Sequence, residues 1–68
     1  MEVSDIFRIV RAKNKLNQTE FATSLNIKQS HLSLIETGKS RASLKLLETL
    51  SEKYNCKINY SVEFDYNK

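Results

Sequence analysis

Between Lys28 and Thr37 the chain reads KQSHLSLIET, a run whose side chains are suited to hydrogen bonding with nucleobases. At about 100° per residue, Leu32 and Ile35 point one way, and Gln29, Ser30, Ser33, Leu34 and Thr37 spread over the other side. A helix face meant only for water would normally carry Lys and Glu. Gln, Ser and Thr offer instead bidentate or hydroxyl hydrogen bonds to base edges. An ordinary amphipathic helix with an uncharged outer side would show the same pattern, so these residues leave both readings open.

Such a face needs elements to hold it. Asn17 with Glu20 three residues later has the spacing of a capping box, and Leu16 with Phe21 that of a hydrophobic staple. Ile27 and Leu32 repeat the staple around a helix that begins after Lys28. Asn26, between the two helices, accepts a left-handed backbone more readily than most residues, which allows a sharp turn. The small Ala22 lets the second helix cross the first closely. Gly38, the only glycine, has the position of a left-handed helix stop.

Around this pair the periodicity predicts two more helices. Ile6, Phe7, Ile9 and Val10 make an apolar stripe on a first helix from Ser4 to about Lys15, capped by Ser4 or Asp5. Arg11 falls on the inward edge of that stripe and calls for an anionic partner. Ser43 caps a last helix to about Tyr54, with Leu44, Leu47, Leu50 and Tyr54 as its core stripe and Leu46 widening it. After Lys57 the period changes to two: Ile58, Tyr60, Val62, Phe64 and Tyr66 alternate with Asn59, Ser61, Glu63 and Asp65. That is the pattern of a half-buried strand. A lone strand leaves its ladder groups unpaired, and antiparallel pairing with the same strand of a second copy is the economical solution. A disordered tail is the alternative, disfavoured by the density of aromatics. The division expected is a helical domain over 1–56 and a dimerisation strand over 57–68.

Composition narrows the classes of function. With 68 residues and 40% hydrophobic content the chain is one small domain with little stability in reserve. Its single cysteine, Cys56, rules out an intrachain disulfide and is most simply a core residue. No Cys/His cluster spells a metal site, and the lone His31 is read as a surface or phosphate contact. No apolar run approaches the roughly 18 residues of a membrane span, and residues 1–5 lack the basic start of a signal peptide. A cytoplasmic protein with no membrane partner is expected. Residues 8–45 hold eight Lys or Arg against Glu20 and Glu36, whereas 46–68 hold three against four acids. The basic surplus therefore belongs to the helices, as expected of a polyanion binder and equally of a solvated lysine-rich surface. The sequence has no Gly-rich phosphate loop and no Cys–His pair with plausible geometry, and a chain this short offers little room for a ligand pocket of on the order of several hundred Å3. An enzyme is not expected, nor any cofactor.

Arg11, Leu16-Asn17-Gln18, Phe21-Ala22, Gln29-Ser30, Ser33, Ile35-Glu36, Gly38-Lys39 and the Ser43-to-Tyr54 stripe occur in one ungapped register. Together they resemble the Cro/repressor-type helix-turn-helix regulators of bacteria and phages, the xenobiotic-response-element family, from Ile6 to about Cys56. The resemblance implies a mainly α, lambda-repressor-like bundle of four to five helices, here with one C-terminal β-strand pairing across a dimer. It implies an ion pair between Arg11 and Glu36. It implies that Gln18 opens helix two against a phosphate and supports Gln29, that Gln29 reads adenine through N6 and N7, and that Ser30 meets the next base edge. Lys28, Ser33 and Leu34 complete the base-reading set, Leu34 facing a thymine methyl. Asn17, Gln18, His31, Lys39, Ser40 and Arg41 are the expected phosphate contacts, with help from Lys13, Lys45 and the backbone N–H groups around Lys39 and Ser40.

This sequence departs from the family pattern at three places: Asn26 stands for a common glycine, Ala42 for a common proline that would stiffen its loop, and the strand is an addition. That addition resembles the closing strand of small phage Cro proteins and of antitoxins. The function implied is a sequence-specific double-stranded DNA-binding transcriptional regulator, a homodimeric repressor at an inverted repeat. The alternative is an antitoxin that binds a protein toxin and autoregulates its operon.

Overall fold

The staple and box spacings around Asn17 and Lys28 become helix starts in the structure, a computed structural model that describes residues 2–56. Four helices follow in order: α1 Val3–Lys13, α2 Gln18–Ser24, α3 Gln29–Glu36 and α4 Leu44–Tyr54. No strand occurs among the described residues, and the expected strand over 57–68 lies outside them.

The four starts differ. Asn17 accepts the Glu20 backbone N–H at 2.7 Å, and the Glu20 carboxylate accepts the Asn17 N–H at 3.0 Å, completing a reciprocal capping box. Ser43 caps α4 through the Leu46 N–H. Helix α1 corrects the expectation of a Ser4 or Asp5 cap: its N-cap lies two or three residues earlier, at Glu2, with no side-chain bond there. Val3 packs against the core, and drawing it into the helix moves Ser4 and Asp5 inside the first turn. Helix α3 begins at Lys28, also without a side-chain cap.

The four stops are alike. Each chain reversal places one residue in the left-handed region: Lys15 (φ 56), Asn26 (φ 63), Gly38 (φ 80) and Asn55 (φ 53). In each case the following N–H returns to a carbonyl five residues back, Leu16 to Arg11, Ile27 to Ala22, Lys39 to Leu34 and Cys56 to Ser51. This is the Schellman arrangement, and it ends α1 at Lys13, two residues sooner than the sequence reading. Only one of the four positions is a glycine, and the Lys15 stop carries a side chain that offers no relief in that conformation.

The core forms where the four helices turn their apolar faces together. Phe7, Phe21, Leu32, Ile35, Leu47 and Leu50 are all fully buried, each contributing on the order of 1.5–3 kcal/mol by removal from water. Phe21 of α2 is the hub. Phe7 of α1 meets it edge-on at 6.3 Å between ring centroids, and Tyr54 of α4 does so at 5.3 Å. The Tyr54 hydroxyl is bonded to Ser24 at the end of α2, which satisfies its polar tip. Helix α3 packs against both α1 and α2.

Three expected core or loop features differ in detail. Ile9 is 42% exposed, because it stands about 200° around the helix from Phe7. Leu44, expected in the core stripe, is 40% exposed at the first turn of α4, and Leu46 is buried in its place. Ala42, where a proline would have stiffened the loop, is 6% exposed and plugs into the core. Cys56 is half-buried, and burial pushes its thiol above its ordinary value, against a smaller lowering by a backbone hydrogen bond. The thiolate, its nucleophilic form, is correspondingly disfavoured.

Candidate nucleic-acid interface

Glu36 is the one buried charged residue among the described residues, 2% exposed at the last position of α3. A carboxylate there needs compensation, and Arg11 and Gln18 supply it directly, with Gln29 and Arg8 bonded around them. Arg11 grips it bidentately, Nε to Oε2 at 2.8 Å and Nη2 to Oε1 at 3.0 Å, and its third nitrogen reaches the Leu16 carbonyl at 3.3 Å. Gln18 donates Nε2 to Glu36 Oε1 at 2.9 Å. Gln29 then donates its Nε2 to Gln18 Oε1 at 2.7 Å. Arg8 adds a bond from Nη1 to the Glu36 backbone carbonyl at 3.2 Å, a cation at a helix C-terminus, and is itself ion-paired with Asp5. No buried side-chain nitrogen or oxygen among the described residues lacks a partner.

The order of donors in this chain is fixed by chemistry. An ionised carboxylate only accepts, so Gln18 must turn its NH2 toward Glu36 and its oxygen away. That oxygen can only accept in turn, so Gln29 must donate to it. Gln29, exposed at the first turn of α3, is left with its carbonyl oxygen and a second N–H. One acceptor beside one donor is the complement of the N6–H and N7 edge of adenine.

The rest of the α3 face surrounds this amide. Ser30, His31 and Lys28 are exposed, Ser33 is half-buried and Leu34 is 45% exposed. Among the described residues no protein group engages the Ser30 or Ser33 hydroxyls. Thr37 differs: its hydroxyl donates back to the Ser33 and Leu34 carbonyls and is committed to the helix end.

Lys28 precedes α3, and Lys39 and Arg41 follow it, all exposed. Eight residues of helix span about 12 Å, so these cations bracket the polar face. Of the eight basic residues between 8 and 45, only Arg8 and Arg11 form ion pairs among the described residues. The unpaired surplus thus lies on side chains free to meet an anion.

Two expected phosphate contacts change character. The N–H groups of Lys39 and Ser40 both donate to the Leu34 carbonyl, at 2.9 and 3.2 Å, closing the end of α3. The backbone there is spent, and the Lys39, Ser40 and Arg41 side chains are what the loop can offer. At the start of α2, Asn17 uses its carbonyl oxygen in the cap and Gln18 uses both amide ends in the chain to Glu36. Spare side-chain N–H groups remain on both. Arg8, which the sequence reading left without a role, is tied to the end of α3 and has no signal in its surroundings beyond lying one turn before Arg11.

Residues 7–61 match the helix-turn-helix family. The chain belongs to that family, in its Cro/repressor-type branch. Helices α2 and α3 with the turn through Asn26 form its helix-turn-helix, and this protein is thereby a DNA-binding transcription regulator. The family is a regulatory one, generally without enzymatic activity. No curated protein and no solved structure matches the chain. No helix among the described residues is long and apolar enough to cross a membrane.

Proposed function

We propose that this helix-turn-helix protein is a dimeric repressor that lays α3 in the major groove of an inverted-repeat operator, one copy per half-site. The observation that carries the reading is the line of hydrogen bonds from Arg11 and Glu36 through Gln18 to Gln29. It gives a surface amide a fixed orientation, and orientation is what a base reader needs. Lys28, Gln29, Ser30, Ser33 and Leu34 would read bases, and Asn17, Gln18, His31, Lys39, Ser40 and Arg41 would hold phosphates. Residues 57–68 would join two copies through their alternating strand, setting α3 helices roughly 34 Å apart.

Selection of bound fragments from random duplex DNA tests the whole reading: an inverted repeat with adenine at a fixed place in each half-site is expected. Gln29→Ala should cost about 1–3 kcal/mol at that base pair and relax the preference there, whereas Lys39→Ala should weaken every sequence alike. Equal losses on all sequences for both variants would contradict the assignment.

A further inference from the structure

We infer that residues 57–68 lay their apolar side into a groove of their own chain, between α1 and the end of α4, leaving the strand edge rather than its face to meet a second copy. The edge half of this statement rests on the dimer reading above; the groove half does not.

The groove is an open surface feature of about 430 Å3. Ile6, Ile9 and Val10 of α1 form one wall, Tyr54 and Cys56 the other, and Lys13 stands at the rim. Asn14 and Asn55 add polar groups to the lining, and Ile9 is left 42% exposed there. The other two large exposed hydrophobics are placed differently: Leu34 lies on the α3 face and Leu44 at the first turn of α4.

Three observations name the occupant. Cys56 is the last described residue and lines the groove, so the chain continues from the groove wall itself. Of the twelve residues that follow, positions 58–66 alternate in sequence, five apolar residues interleaved with Asn59, Ser61, Glu63 and Asp65. Pairing two such strands edge to edge would satisfy their backbones but leave the apolar side in water, and two strands without a hydrophobic support are at best marginal. Reach is ample, since twelve extended residues cover about 40 Å and α1 from Ile6 to Lys13 covers about 10 Å. A second groove, between the α2–α3 turn and α4, is a poorer seat: Lys45 and Lys53 line it, and no large exposed hydrophobic does.

The test uses the full chain in solution. Ile9→Asp should move the amide resonances of residues 57–68 toward random-coil positions and speed their hydrogen exchange about tenfold or more, while Leu44→Asp leaves them in place. Tail amides indifferent to Ile9→Asp would overturn the inference. Independently of any variant, isotope-filtered contacts in the unmodified protein should join the Ile9 methyls to the rings of Tyr60, Phe64 or Tyr66 within one chain. Contacts found only between labelled and unlabelled copies would overturn it in favour of an exchanged strand. A monomeric mass by light scattering with the intrachain contacts retained would overturn the dimer reading and support the groove assignment alone.

Discussion

Helices α2 and α3 have seven and eight residues, form the two arms of the helix-turn-helix, and begin in opposite ways. At α2, Asn17 and Glu20 satisfy each other's backbone donors within four residues of sequence. At α3, Lys28 makes no side-chain cap, and the first turn around Gln29, Ser30 and His31 is made of exposed residues. The first helix is secured at its start, the second at its finish, where Glu36 is buried against Arg11. An open start with its partial positive charge suits a helix that approaches an anionic duplex. The proposed reading helix thus leaves uncapped the end that would face a duplex and takes its rigidity from the other end.

That contrast can be broken at several points. Removing the anchor with Glu36→Ala should cost the most, about 3–5 kcal/mol, because the Arg11 guanidinium is left half-buried without its carboxylate; the shift in a urea unfolding midpoint measures it. A loss under about 1 kcal/mol, small for a buried pair, would mean α3 is secured elsewhere. Removing the α2 cap with Asn17→Ala should cost about 1 kcal/mol and leave the order of preferred DNA sequences unchanged. Supplying α3 with the cap it lacks, through Lys28→Ser, should raise unfolding stability by about 0.5–1 kcal/mol. Because Lys28 belongs to the proposed base-reading set, the same change should weaken binding chiefly to the preferred sequence and relax the preference at the base pair it meets. Tighter binding from that variant would contradict an open start that serves DNA. Smallest is Lys15→Gly: freeing the left-handed stop of α1 should gain about 0.5 kcal/mol in thermal unfolding, part of the strain relief being offset by a looser unfolded chain.

What could be read from residues alone follows the same division. The Asn17–Glu20 box, the two staples, the left-handed Asn26 and the Gly38 stop are all decided within about five residues, and each has a distinct residue type to mark it. The stops at Lys15 and Asn55 have weaker marks or none, and the lysine gives no hint that its backbone will be left-handed. Leu44 looked like core because periodicity fixes a direction around a helix and not whether another helix lies there to meet it. No local signal marks the Lys39 and Ser40 N–H groups as spent, since both go to the Leu34 carbonyl only once α3 has closed. For Arg11, position on the stripe called for an anion, while the partner came from family resemblance and not from spacing.

By itself, then, the sequence determined where α2, α3 and α4 start, the general direction of the apolar stripes, the turns at Asn26 and Gly38, and that the basic surplus sits in the helical part. Tertiary structure decided which side chains share the Glu36 carboxylate, and through it the orientation of the Gln29 amide. The physical reason is range. Caps and stops close within a few residues, at energies local chemistry can specify. Arg11 and Glu36 are 25 residues apart and Gln18 and Gln29 are 11 apart, so their bonds depend on packing around Phe21 to offset the loop-closure entropy between them.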